Sequence, residues 1–182
     1  MSKFKIANIE YDISDLSVLK NFKPENLKLK PYPHIVIKNA VNNELYKVLE
    51  QFYPNDDIIF NLDNQKHNKM YHNTRYQINA IDSLRSNHIH PIWKMFIDYH
   101  SSPSFLREVI NVFGEERFNN FQNIINKCNE KKVNHFKNLT LGKRIPGNEK
   151  YSDIVLDCQV GINSPCIEKS HVKGPHIDNL NE

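Results

Sequence analysis

"DIVLDCQVGINSP", residues 153–165, decides what kind of fold this chain builds. Ile154, Leu156, Cys158, Val160 and Ile162 alternate with Val155, Asp157, Gln159, Gly161 and Asn163. Side chains of an extended strand point to opposite faces in turn, so this period of two predicts one strand with an apolar and a largely polar face. The apolar face is expected to pack on helices encoded upstream. The polar face is left for another task.

Upstream, the period changes to that of a helix. In "NELYKVLEQF" Leu45, Val48, Leu49 and Phe52 share one face, and Asn42 or Asn43 is placed to cap it. "HPIWKMFIDYHSS" puts Ile92, Trp93, Phe96, Ile97 and His100 at helical spacing, after possible caps at Asp82 and Ser83. In "SPSFLREVINVFGEE", Ser102 is the expected N-cap and Pro103 the first helical residue, where a missing N–H costs nothing. Phe105, Leu106, Val109, Ile110 and Phe113 make its stripe, and Gly114 is the natural stop. "ERFNNFQNIINKC" predicts a third helix. These stripes and Trp93 read as core.

Between and before these helices the pattern is weaker. "PHIVIKNAV" (33–41) holds a short β-branched run, Ile35-Val36-Ile37, read as a strand. Residues 53–80 read as a loop with a short strand at Ile58-Ile59-Phe60, and His67 and His72 within it as solvent-exposed. Residues 137–153 return to loop. Residues 1–30, polar and irregular with prolines near their end, read as an N-terminal arm. The remaining 31–182 are expected to form a single domain, with a helical support region over 31–150 and a β core starting at 151–182.

Composition narrows the function classes. With 182 residues and a formal net charge of +3, the chain has room for one domain. Basic residues are scattered among acids, and the densest patch, "NEKKVNHFK" (129–137), reads as a solvated helix face rather than a nucleic-acid surface. No run approaches a membrane span or a signal peptide. Cys128, Cys158 and Cys166 are odd in number and include no CxxC, which points to free thiols in a reducing cytoplasm. There is no GxSxG elbow for nucleophilic catalysis, and "LGKRIPG" lacks the spacing of a phosphate-binding loop.

The chemistry-bearing motif is "GPHID", residues 174–178. Residues two apart in an extended segment project to one side, so His176 and Asp178 are expected to point together, with Ile177 opposed. Imidazole and carboxylate are two of the three donors of the 2-His-1-carboxylate triad that holds Fe(II) in non-haem oxygenases. An HxD frame also arises by chance, as an ordinary surface pair. A structural zinc site is a second chemical reading, because Cys166, His171, His176 and Asp178 form C-x4-H-x4-H-x-D, although the tight CxxC or HxxxH pair of common zinc frames is missing. A third is a non-catalytic interaction module in which the helices do the work.

The stretch "DCQVGINSP…VKGPHIDN", with "PYPHIVIKNAV" and the helices over 89–114, resembles the Fe(II)/2-oxoglutarate-dependent dioxygenases, in their prolyl-hydroxylase-like branch. The resemblance runs from about residue 31 to the end and is most specific in the last thirty residues. It implies an α+β fold in which N-terminal helices pack on the first strands of a double-stranded β-helix, a jelly roll left incomplete in this chain. It implies His176 and Asp178 as metal ligands, Fe(II) as metal and 2-oxoglutarate as cosubstrate. Gln159 and Asn163 then face the cosubstrate pocket on the polar side of the strand. No catalytic side chain beyond the metal ligands is assigned.

The sequence also departs from that family. Its members carry a distal histidine as third ligand and then an Arg or Lys for the 2-oxoglutarate carboxylate, and nothing after Asp178 matches either. The expectation is a fragment of a hydroxylase, with little or no turnover by itself. Its substrate, a small molecule or a peptidyl side chain, is left open, as is its oligomeric state; neither nucleic acid nor membrane is expected as a partner.

Overall fold

The computed structural model describes residues 3–6, 9–62, 74–120, 122–132 and 135–165. They form a mixture of helix and strand with small sheets, and no closed barrel among the described residues. A hairpin of β1 (Lys3–Ile6) and β2 (Ile9–Asp12) is followed by the short pair β3 (Leu27–Lys28) and β4 (His34–Ile35). Next come α1 (Asn43–Gln51), α2 (Asp56–Leu62), β5 (Arg75–Ile78), α3 (Ala80–Arg85), α4 (Pro91–His100) and α5 (Pro103–Phe113). The chain continues through α6 (Glu115–Asn119), α7 (Gln122–Glu130), β6 (Leu141–Lys143), β7 (Ile154–Leu156) and β8 (Val160–Asn163). No helix among the described residues is long and apolar enough to cross a membrane.

Local signals placed the main helices. Asn42 caps α1, its side chain accepting from the Glu44 N–H, and Leu45 and Leu49 are buried as the helical spacing requires. Ser102 caps α5 by accepting from the Phe105 N–H, with Pro103 at the first position. Gly114 ends α5 at φ +87°, a conformation that costs a residue with a Cβ. The predicted third helix is two, α6 and α7, broken at Asn120.

The two-faced segment differs from its prediction in an informative way. It is not one strand but two, in different sheets. β7 runs parallel to β6, whereas β8 pairs antiparallel with β5, Tyr76 opposite Ile162 and Ile78 opposite Val160. The break falls at Asp157, whose Oδ1 accepts from the Ala80 N–H (2.8 Å) at the start of α3. A carboxylate there satisfies an N–H that the helix cannot pair internally and meets the positive end of its dipole. The alternation holds past the break, where Cys158, Val160 and Ile162 pack on the core while Gln159, Gly161 and Asn163 are exposed, whereas Ile154, Val155 and Leu156 are all half-buried.

Four further expectations give way. Ile58-Ile59-Phe60 lies in helix α2, not a strand, because the Asn55 side chain accepts from the Ile58 N–H (2.9 Å) and Asp56 and Asp57 occupy the first turn. β5, inside the stretch read as loop, is a strand. Of Ile35-Val36-Ile37, only Ile35 is in a strand; Val36 is 59% exposed. Residues 1–30, read as irregular, hold the hairpin and a 3-10 turn, Ile13–Leu16, that buries Leu16 completely.

Two clusters make the main core. One gathers Ile59, Tyr76, Ile78, Ile89, Ile97 and Val160, joining α2, α4 and the β5–β8 pair. The other gathers Leu16, Leu45, Leu49, Ile92 and Tyr99 between the N-terminal turn, α1 and α4. Trp93 packs against both, and its indole N–H donates to the Leu49 carbonyl (2.7 Å), so α4 is the beam common to the two. Gly161 sits where β8 meets β5: a Cβ there would lie 2.5 Å from the Tyr76 carbonyl oxygen.

Candidate functional site

His176 and Asp178 lie outside the described residues, as do Cys166 and His171 of the zinc reading and His67 and His72. Gln159 and Asn163 are described. Both are on the exposed side of the β8 segment, flanking Gly161, as the alternation predicts. The Gln159 amide donates to Asp157 Oδ2 (2.9 Å), so the carboxylate that starts α3 also orients this amide. Asn163 stands opposite Arg75 at the end of the β5–β8 ladder, beside Ser164, whose Oγ accepts from the Thr74 N–H (2.7 Å). Tyr53 reaches the same strand from the end of α1, donating its hydroxyl to the Gly161 carbonyl (2.8 Å). Burial raises its pKa above the usual phenol value.

Imidazole and carboxylate are the donor types that ferrous iron accepts, so the donor chemistry of His176 and Asp178 fits that metal. Among the described residues, no three His, Cys, Asp or Glu side chains are grouped to hold an ion. Cys158, packed on the core, is pushed up to about 11 by burial and by the neighbouring Asp157, which keeps it a thiol. Compared with family models, curated proteins and solved structures, the chain finds no match.

Two polar assemblies tie other elements together. Glu108 on α5 accepts hydroxyl hydrogen bonds from both Ser17 and Tyr99, tying the N-terminal turn to α4 and α5. Lys143 on β6 reaches the end of α4, donating to the Ser101 carbonyl (3.1 Å) and pairing with Asp98 (3.1 Å), where a cation suits the negative end of the helix.

His100 links the same elements. Its Nε2 accepts from the Val18 N–H (3.3 Å), so Nδ1 carries the proton it gives to the Phe96 carbonyl (2.8 Å). That pairing uses the neutral ring. Burial accordingly holds its pKa below the ordinary 6.5. Because the folded value is the depressed one, this stabilisation is full above pH 6.5 and is lost as pH falls through the folded value. A proton NMR titration is expected to place the His100 midpoint below 6.5, with stability declining on the acid side. A midpoint above 6.5 would contradict this account.

The sequence reading did not anticipate a broad open cleft of about 820 Å3 between α1, α4 and the loop over 39–43. Val41, Leu49, Trp93 and Phe96 give it apolar walls, and Tyr46, Glu50 and Tyr53 form one edge. A signal was present. Those last three residues are spaced by four and three along α1 and just past it, on a face distinct from the Leu45–Leu49 core stripe.

Proposed function

We propose that this chain carries the HxD ligand pair of an Fe(II)- and 2-oxoglutarate-dependent oxygenase centre. The observation that carries the reading is the sequence order: a two-faced strand, Val160–Asn163, then Gly174-Pro175-His176-Ile177-Asp178. The way α2, α4 and the β5–β8 pair share one apolar core, with β8 keeping its polar face outward, supports it. In this reading His176 offers an imidazole nitrogen and Asp178 a carboxylate oxygen to the metal. Gln159 and Asn163 offer amide N–H donors for a cosubstrate carboxylate. The Asp157 contact orients the first of these before any ligand arrives. When bound, iron and 2-oxoglutarate would use O2 to hydroxylate a C–H bond of a small-molecule or peptidyl substrate, one oxygen atom going to the product and the other to succinate, with release of CO2.

The test is an anaerobic titration of the chain with Fe(II) and 2-oxoglutarate. It is followed by visible charge-transfer absorption and by metal content after dialysis. Weak ferrous binding is expected, absent from His176→Ala and from Asp178→Ala, while both variants unfold within about 0.5 kcal/mol of the parent. Binding that both variants keep would overturn the proposal. So would zinc held at one equivalent through a chelator wash.

A further inference from the structure

The cleft beside α1 has a chemistry of its own, and its reading rests on nothing assumed about iron. Two of its aromatic walls meet almost at a right angle: the Tyr53 and Trp93 rings have centroids 5.2 Å apart and planes 84° apart. Phe96 continues the wall from Trp93, centroids 5.4 Å apart and planes at 66°. Tyr46 is 55% exposed at the edge, so its ring is open to a ligand. Glu50 also lines the cleft, one helical turn from Tyr46, and its carboxylate makes no ion pair or hydrogen bond among the described residues. The neighbouring Lys47 pairs instead with Glu44, at 3.0 Å.

Aromatic rings attract cations through their electron-rich faces, most strongly where water is partly excluded. A carboxylate at the same cleft adds a full negative charge and disfavours anions. Val41 and Leu49 supply an apolar wall that a bare inorganic cation would leave unused. About 820 Å3 lies within the range of sites that take a drug-sized molecule rather than a single ion. We infer that this cleft binds a small organic cation, an alkylated ammonium head carried on an apolar body. The head sits against Tyr46, Tyr53 and Trp93 with Glu50 as counter-charge, and the body lies along Leu49 and Phe96.

Hexyltrimethylammonium, below its micelle concentration, and hexanesulfonate share a tail and differ in the sign of the head. Calorimetric titration of the full chain is expected to detect the first and to find the second at least about tenfold weaker. Glu50→Gln and Tyr46→Ala, both at exposed positions, are expected to weaken the cation by about threefold to tenfold each while leaving the thermal midpoint unchanged. Chemical-shift changes on adding the cation should centre on the Trp93 indole. Equal affinity for the two amphiphiles, no heat with either, or full affinity in both variants would overturn the inference.

Discussion

Tyr76→Ala is expected to lower the free energy of unfolding by about 3–5 kcal/mol, the range for removing a large ring from a packed interior. Tyr76 is completely buried, and its ring meets Phe60 edge to face with centroids 4.7 Å apart. It lies opposite Ile162 on the inward side of the β5–β8 pair, so truncation opens a cavity beneath the strand that carries Gly161 and Asn163. Small domains have about 5–15 kcal/mol in total, so the loss is a large fraction of the stability. Urea melts of this variant beside Tyr46→Ala, whose ring is exposed, make the comparison internal. A loss below about 1 kcal/mol at Tyr76 would show that the β5–β8 pair does not organise this core.

The second large effect is expected at Glu108. Ser17 is 1% exposed and Tyr99 8%, and both hydroxyls donate to this one carboxylate. Removing a shared acceptor strands two buried donors, and each stranded group costs about 1–3 kcal/mol. Glu108→Ala is therefore expected to cost about 2–4 kcal/mol, with Ser17 and Tyr99 able to recover part by pairing with each other. Tyr99→Phe added to Glu108→Ala should cost little more, since the stranded hydroxyl is gone. Full additivity of the two losses would mean that they do not act as one unit. The same site sets an alkaline limit. Burial, and then the Glu108 hydrogen bond, push Tyr99 up to about 12 from 10. A raised folded pKa means stability that is intact below pH 10 and lost as pH rises through about 12.

Much of the helical layer is readable from local residues. Asn42 and Ser102 announce their helices because a side-chain oxygen two or three residues from an unpaired N–H needs no distant partner. Gly114 announces an end for an equally local reason, its positive φ. Ile58-Ile59-Phe60 is ambiguous in sequence because a short apolar run has the same composition in a buried strand and a buried helix, and only Asn55 and the two aspartates separate them. The arrangement around Gln159 and Asn163 was half legible. Their shared exposure follows from alternation, while the contact that orients Gln159 depends on where Asp157 meets α3.

By itself, then, the sequence determined which side chains of 158–163 point inward and where α1 and α5 begin, since both depend on backbone periods and caps within a few residues. Only the tertiary structure decided that 154–163 divides between two sheets, that "RYQI" (75–78) is the partner of β8, and that Tyr46, Glu50, Tyr53 and Trp93 share one cleft. Those outcomes rest on contacts between residues far apart in the chain. The Asp157 carboxylate meets the N–H of Ala80, and Ile78 meets Val160, across loops of about eighty residues whose closure costs entropy that local pattern does not reveal.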